Sequence, residues 1–296
     1  MKNLVEAQSD TLLKPSISFT FDDGSIDDQP HYKLETWNSM LLSILEKYSL
    51  KAILFSTGED KTSEAGKYVL ESWNNAGHSI ANHTMTHPNF SKKKVSLELF
   101  EKEFILNDNI TRQYSNYLTY FRFPYLKEGE TQEKIDGFRL FLRDKGYKNG
   151  YVTIDASDWY INSRLCKRLK HHVHLDVSKF REYYIEHHFE CATYYEDLSY
   201  QLTHRHIHHV LLLHHNLAAA LFLGEMIIFF KQNGWNVTDP LSSYRDQIYE
   251  TTTHNIPEQE SLILAMATES GKFQKQLMHQ PEDKKYLRKE MNKRKL

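Results

Sequence analysis

The sequence predicts an α/β fold built on a parallel β-sheet. Short apolar or β-branched runs alternate along the 296 residues with segments whose apolar residues recur at steps of three and four, as in amphipathic helices. This alternation favours a parallel sheet with covered faces, either a barrel or an open α/β sheet. The hydrophobic content of 40% and net charge of −2 are typical of a globular protein, and they give no basic excess for binding nucleic acid.

Seven runs are predicted as strands, the last more weakly than the others. They are SISFTF at 16–21, AILFS at 52–56, HSIAN at 78–82, YFRF at 120–123, GYVTID at 150–155, HVLLLH at 209–214 and GWNVT at 234–238. Helical patterns such as WNSMLLSILEKY at 37–48 lie between them. We expect one main domain over residues 1–256 with a helical insertion at about 164–205, followed by a charged helical extension at 257–296.

The most apolar segment, residues 216–230, is too short to span a bilayer and contains Glu225, so a buried helix is predicted there. The first sixteen residues lack the unbroken apolar stretch of a signal peptide. Cys166 and Cys191 lie far apart in the sequence and predict free thiols. We therefore expect a cytoplasmic protein without a membrane span. A homo-oligomer is compatible with the sequence, which does not fix the oligomeric state.

Polar and charged side chains recur where the predicted strands end. Asp22 and Asp23 end the first strand, and His83 and His87 follow the third. The fourth strand leads into RFPY, the fifth into DASDW and the sixth into a histidine pair. In parallel α/β barrels the active site lies at the carboxyl ends of the strands, where the loops converge. The sequence therefore predicts one shared site at that edge.

His83 and His87 are four residues apart and would share a face on one helical turn, which Pro88 would end. Two imidazoles could then chelate a metal, and Asp23 could supply a third, anionic ligand while leaving positions open for water. Asp22 would remain free to act as a base on the bound water. An isolated HxxxH pattern is weak support for a metal site, and the adjacent aspartate pair is what favours one.

The motifs TFDDG, HTMTH, RFPY, DASDW and LLLHH occur in this order between Thr20 and His214, over about two thirds of the chain. In this the chain resembles the polysaccharide deacetylases, the NodB-like carbohydrate esterase family 4. The resemblance implies a distorted (β/α)7 barrel and a divalent metal. Zn²⁺ is the expected ion, with Co²⁺, Ni²⁺, Fe²⁺ or Mn²⁺ as alternatives. It also implies hydrolysis of N-acetyl, and sometimes O-acetyl, groups on sugars.

The resemblance implies roles at the first three motifs. Asp23, His83 and His87 match the metal ligands, and Asp22 matches the general base. Arg122 is similar to the residue that orients this base, and a nearby arginine would hold Asp22 ionised.

The same resemblance implies the remaining roles. His214 is similar to the general acid that protonates the leaving amine, with Asp158 orienting it and raising its pKa. The backbone N–H of Tyr125 matches the donor that stabilises the oxyanion. Trp159 and Leu212 match the apolar pocket for the acetyl methyl group. The spacing of Leu212 and His214 also selects His214 over the histidine that follows it.

Structural alternatives accompany these assignments. Arg122 could be only a salt-bridge partner, and Trp159 could belong to the core. Asp155 could cap a turn and is given no role, and His78 is expected to be a structural hydrogen-bonding group. The histidines in KHHVH, EHHF and HRHIHH are expected on the surface or on helix faces rather than in a second metal site.

The leading functional hypothesis is a metal-dependent deacetylase acting on an N-acetylated glycan or amino sugar. An alternative is a metal-dependent amide or imide hydrolase acting on a small non-sugar metabolite, because the chain lacks an export signal. A third hypothesis is a non-catalytic barrel that binds glycans and retains the metal. The presence of both Asp22 and His214 argues against this third hypothesis.

Overall fold

A computed structural model describes residues 14–172, 174–258 and 260–296. Its sheet contains parallel strands in the order β5-β4-β3-β2-β1-β6, and β7 pairs with the first residues of β1. The strands are β1 Ser16–Asp23, β2 Ile53–Ser56, β3 Ser79–Asn82, β4 Tyr117–Phe121, β5 Lys148–Asn149, β6 His208–His214 and β7 Asn236–Val237. The described helices are α1 Leu34–Lys47, α2 Glu64–Asn75, α3 Leu97–Thr111, α4 Gln132–Asp144, α5 Asp158–His171, α6 Ser178–Thr203, α7 Leu217–Gln232, α8 Pro240–Ser243, α9 Leu262–Ser270, α10 Gln274–Leu277 and α11 Lys284–Lys293.

The strand β1 lies between β2 and β6. One edge pairs along its whole length with β6, from Ser16↔His208 to Asp22↔His214, and the other pairs with β2 from Thr20↔Ile53 onwards. Seven of its eight residues are buried, as expected for a parallel strand covered on both faces. The register brings the carboxyl ends of β1, β2 and β6 to one edge, where the predicted site residues lie.

The sheet is curled, and its two ends are joined by irregular backbone. The predicted fifth strand at 150–155 is wrong. Regular pairing is confined to Lys148–Asn149, and Ile154 then forms one isolated parallel bridge with Leu211 of β6. The N–H groups of Thr153 and Ile154 both donate to the carbonyl oxygen of Val210, so the backbone here cannot continue a regular ladder. The fold is the predicted distorted (β/α) barrel, closed through this bridge.

A large apolar core joins the outer helices to the sheet. The apolar segment predicted as a buried helix is α7, which packs between α1 and α6. The last helix, α11, is basic, yet its Leu287 and Met291 are fully buried in this core. The backbone N–H of Leu262, at the start of α9, donates to the carbonyl oxygen of Val152. The C-terminal helices therefore pack directly on the chain that closes the barrel.

Three of the remaining histidines are buried. His187 and His188 lie on faces of α6, one of the two expected positions, whereas His209 lies in β6 and meets neither expectation. His187, His188 and His209 are at most 1% exposed. Nε2 of His187 donates to the carbonyl oxygen of Ala156 at 2.9 Å, and Nε2 of His209 lies 2.8 Å from a carboxylate oxygen of Glu196. Helix α6 is covered by both α7 and α9, and each of its two buried histidines bonds to a carbonyl oxygen through one ring nitrogen. The other ring nitrogens, Nδ1 of His187 and Nε2 of His188, have no hydrogen-bond partner among the described residues.

The expected structural role of His78 is confirmed, because its Nδ1 accepts a hydrogen bond from the backbone N–H of Ala52 at 3.2 Å. Cys166 and Cys191 are free thiols, as predicted. Within the described ranges, every helix is too short or too polar to cross a bilayer.

Candidate active site

The two aspartates of the first motif end β1 and face different surroundings. Asp22 is 3% exposed, whereas 43% of the Asp23 side chain is accessible. Asp23 has a positive φ of 75°, and Gly24 follows with a φ of 67°. Aspartate tolerates this left-handed conformation better than most residues. The chain therefore turns sharply at the strand end, which places both carboxylates at the same edge of the sheet.

The segment from His83 to His87 is a loop, so the predicted helical turn is wrong. Thr84 and His87 have positive φ values of 66° and 57°. The loop is held by side chains: Oδ1 of Asn82 accepts from the N–H of Thr84, and Oγ1 of Thr84 accepts from the N–H of His87. Glu103 of α3 accepts two further hydrogen bonds from Thr86. Despite the different backbone, the two imidazoles meet with ring centroids 4.9 Å apart.

Asp23, His83 and His87 form a group that could hold a metal ion. One ligand atom from each lies within 4.8 Å of the other two. Nε2 of His87 is 3.6 Å and Nε2 of His83 is 3.8 Å from Oδ1 of Asp23. Burial lowers the pKa of both histidines to about 4, so both imidazoles are neutral at pH 7 and available as ligands.

The tautomer of His83 supports this fit. Its Nδ1 lies 2.8 Å from the carbonyl oxygen of Arg122, which can only accept, so the ring proton is on Nδ1. The lone pair of Nε2 then faces carboxylate oxygens of Asp22 and Asp23 at 3.7 and 3.8 Å. Acceptors that face one another without a proton between them suit a cation, and a carbonyl that orients a ligand histidine is common at metal sites.

Arg122 anchors Asp22 from below the cavity. Its Nη1 donates to Oδ1 of Asp22 at 2.6 Å and to the hydroxyl of Thr20 at 2.8 Å. Its Nη2 and Nε donate to Tyr244 and to the carbonyl oxygen of Gly150. Burial raises the pKa of Asp22 above its ordinary value, although Arg122 opposes this effect. The predicted contact between Arg122 and Asp22 is present. It does not bring the pKa of Asp22 down to the ordinary value, so Asp22 is a stronger base than an ordinary aspartate.

His214 is held by Asp158 at the end of β6. Nδ1 of His214 lies 2.6 Å from Oδ1 of Asp158, and the backbone N–H of His214 donates to Oδ2 at 3.0 Å. Asn216 donates a further hydrogen bond to Oδ2. Although burial lowers the pKa of His214, the charge and hydrogen bond of Asp158 raise it to about 10. The neighbouring His215 is buried against Trp37 and bonded to Asn38.

These side chains line one cavity of about 490 Å³, here called the central cavity. Its lining residues are Asp22, Asp23, His83, His87, Tyr125, Leu126, Asp155, Trp159, Leu212 and His214. Tyr125 has a positive φ of 58° and packs its ring 4.5 Å from that of His87. Trp159 is 41% exposed and Leu212 is 5% exposed. Arg122 and Asp158 lie behind this lining and are fully buried.

Asp155 is a charged lining residue to which the sequence assigned no role. Its Oδ1 accepts a hydrogen bond from the N–H of Ser157, as expected of a turn cap, and the residue also lines the cavity. Three further residues hold the buried groups behind the cavity: Thr20 and Tyr244 bond to Arg122, and Asn216 bonds to Asp158. Thr20 belongs to the TFDDG motif, whereas Tyr244 and Asn216 belong to none of the five motifs. Their contacts with Arg122 and Asp158 depend on the folded arrangement.

Residues 9–138 match the model of the family described as polysaccharide deacetylase. Over these residues the chain is similar to the polysaccharide deacetylase family. The matched part includes the first three motifs, whereas Asp158, Trp159, Leu212 and His214 lie beyond it. A peptidoglycan-N-acetylglucosamine deacetylase of Bacillus cereus is 28% identical over 147 residues, which are 49% of this chain and 47% of that protein. The chain thus spans about half the length of this curated relative.

Solved structures of a peptidoglycan deacetylase and of a family 4 pseudoenzyme share the fold. The Bc1960 peptidoglycan N-acetylglucosamine deacetylase superposes with a TM-score of 0.54 at 17% identity, over 79% of this chain and 90% of that one. A family 4 pseudoenzyme from Bacillus anthracis also gives 0.54 at 17% identity, over 78% of this chain and 66% of its own. At these identities the likeness establishes the curled parallel sheet with surrounding helices.

Proposed function

We propose that this protein is a metal-dependent hydrolase that removes an N-acetyl group from a glycan or amino sugar. One observation carries the proposal: the group formed by Asp23, His83 and His87 shares a single cavity with Asp22 and His214. Zn²⁺ is the proposed ion because it combines imidazole and carboxylate ligands with open positions. When bound, it would supply a Lewis acid and lower the pKa of water.

The side chains of this protein would perform the proton transfers. Asp22 would take a proton from the attacking water, and its raised pKa suits a base near neutral pH. The C–O bond forms at the acetyl carbon, and the C–N bond breaks. His214, which Asp158 keeps protonated, would donate a proton to the leaving nitrogen. Acetate and a free amine are the products.

The remaining lining residues would place the acetyl group. The N–H of Tyr125 would donate a hydrogen bond to the oxyanion, where such a donor is worth about 10²–10³ in kcat. Trp159 and Leu212 would contact the acetyl methyl group, since both line the cavity beside His214. Arg122 would act through Asp22, which it holds in place from outside the cavity.

The test is acetate release by Zn²⁺-loaded protein from N-acetylglucosamine oligomers and monomeric N-acetylated sugars. We expect acetate from wild type and a large loss in Asp22→Asn, whose side chain cannot accept the proton. Competition with ureides and imides separates deacetylation from hydrolysis of a non-sugar metabolite. Metal binding without acetate across the panel, with sugar binding unaltered in Asp22→Asn, would instead favour a non-catalytic barrel.

A further inference from the structure

A second cavity of about 200 Å³ opens beside the central cavity, and we call it the acidic cavity. Tyr125, Leu126 and Asp155 line both cavities. The other wall comes from the C-terminal helices and the turns between them, including Glu260 and Glu282. The two cavities therefore adjoin at Tyr125, Leu126 and Asp155.

Carboxyl groups dominate this second cavity. Asp155, Glu260 and Glu282 come from three separate segments, and Asp283 adds a fourth carboxylate that caps α11. Lys127 is the one cation among the described residues that line it, and its charge acts on Glu260. Burial and the charges of its two neighbours raise the pKa of Glu282 to about 8, although a hydrogen bond from Tyr195 opposes them. The lining thus carries an excess of acidic groups over basic ones.

Glu282 points to a ligand. It is 8% exposed, and its Oε1 accepts a hydrogen bond from the hydroxyl of Tyr195 at 2.5 Å. Within the described part of the chain, its Oε2 has no hydrogen-bond partner. A buried carboxyl oxygen without a partner is costly. Because its pKa is raised to about 8, Glu282 is mostly protonated at pH 7. A positively charged donor that enters the cavity would release this proton to solvent, bond to the carboxylate and offset the repulsion from Asp155 and Glu260.

The spacing of the carboxyl groups favours an organic cation over a metal ion. Among the described residues, the one group of three metal-ligating side chains within 4.8 Å of each other is that of Asp23, His83 and His87. The carboxyl groups of the acidic cavity do not form such a compact set. A primary ammonium group has three donors, and it can combine one carboxylate with neutral oxygens such as those of Ser261 and Gln280, which also line the cavity.

We propose that the acidic cavity binds a primary ammonium group carried by the same molecule whose acetamide enters the central cavity. This inference rests on the proposed deacetylase function and narrows its substrates to N-acetylated amines with a second, free amino group. That group could belong to a glucosamine unit next to the acetylated sugar or to the far end of a monoacetylated diamine.

The first experiment measures kcat/KM for matched pairs of substrates. One pair is a glucosamine–N-acetylglucosamine disaccharide and its fully acetylated form. The other is a series of monoacetylated diaminoalkanes and the corresponding hydroxyalkyl acetamides. We expect at least one ammonium-bearing member to exceed its neutral partner by about tenfold or more, as one charge-assisted hydrogen bond would give. The pair that shows the preference identifies the source of the amine.

Variants then assign the preference to the cavity. Glu282→Gln keeps an acceptor for Tyr195 but cannot become a carboxylate, and Glu260→Gln removes the carboxylate at the exposed rim of the cavity. Each should lower the ratio of kcat/KM values between ammonium and neutral substrates by several-fold. The matched control is Glu269→Gln, an exposed glutamate of α9 outside the cavity, which should leave the ratio unchanged. An unchanged ratio in both cavity variants overturns the proposal.

Calorimetry of diaminobutane and of glucosamine disaccharide binding to the Zn²⁺-loaded protein separates this proposal from the deacetylase proposal. Binding to wild type that is weakened in Glu282→Gln and Glu260→Gln, but not in Glu269→Gln, supports the ammonium site even if no acetate is released. Acetate release from neutral and charged substrates at equal rates overturns the ammonium site and leaves the deacetylase proposal intact. Absence of binding to wild type also overturns the ammonium site.

Discussion

His214 and Asp158 form a charge-assisted hydrogen bond at the wall of the central cavity, with Nδ1 2.6 Å from Oδ1. Asp158 is fully buried and accepts two further hydrogen bonds, from the N–H of His214 and from Asn216. Burial raises the pKa of this carboxyl, but His214 outweighs burial and lowers it. The pair therefore keeps a proton on the imidazole and a negative charge behind it.

The change Asp158→Asn should remove this effect. Without the charge, the pKa of His214 falls from about 10, and the imidazole loses its proton as the pH rises through the lower value. On the proposed mechanism kcat should drop by about 10²–10⁴, the usual contribution of a general acid. The basic limb of the pH–rate profile should move to lower pH. Asp144→Asn, at an exposed site on α4, is the control, and an unshifted profile in Asp158→Asn contradicts the role of His214.

Removal of any one of the three proposed ligands should abolish tight metal binding. Asp23→Asn, His83→Ala and His87→Ala should lose Zn²⁺ during gel filtration, as measured by elemental analysis. Wild type should gain about 2.7 kcal/mol in free energy of unfolding when free Zn²⁺ is at about 100 times its Kd. Asp27→Asn, in the loop after β1 but outside the ligand group, should retain both properties. Retention of the ion by all three ligand variants would rule out this site.

The ion pair of Arg122 and Asp22 should be important for stability as well as for catalysis. Arg122→Met leaves Asp22 buried without its partner and should lower the free energy of unfolding by about 3–5 kcal/mol. Urea denaturation at pH 7 measures this change. The exposed pair of Arg294 and Glu186 has the same 2.6 Å separation, and Arg294→Met should cost less than about 1 kcal/mol. Equal decreases in the free energy of unfolding of the two variants would show that burial does not set the strength of the contact.

Buried histidines should make the protein sensitive to acid. Burial lowers the pKa of His78 to about 4, below its ordinary value of 6.5 in the unfolded chain. Its contribution to stability is therefore complete above pH 6.5 and is lost as the pH falls towards 4. Over this interval each such histidine lowers the free energy of unfolding by about 1.4 kcal/mol for every pH unit of acidification.

The change His78→Asn tests this effect at one position. The asparagine oxygen can replace Nδ1 as the acceptor for the N–H of Ala52, but it does not titrate. Urea denaturation between pH 4 and 7 should give a shallower pH dependence for the variant than for wild type. Parallel curves for the two proteins would contradict the lowered pKa of His78.

The sequence by itself determined the central strands and the edge at which the site lies. The strands β1, β2, β3 and β6 are buried on both faces. They can therefore be predicted from the sequence as short runs rich in apolar and β-branched residues. Since parallel strands share one carboxyl edge, residues that follow different strands meet there. This is why Asp23, His83 and His87 could be placed together before the structure was known.

Tertiary structure decided the features that depend on partners far away in the chain. The loop between His83 and His87 is held by Asn82 and Glu103, which a local helical pattern does not include. The backbone near Ile154 pairs with β6 rather than continuing β5. The acidic cavity joins Asp155 to Glu260 and Glu282 across more than a hundred residues. Local propensity acts over a few residues, whereas such contacts form only when packing brings remote segments together.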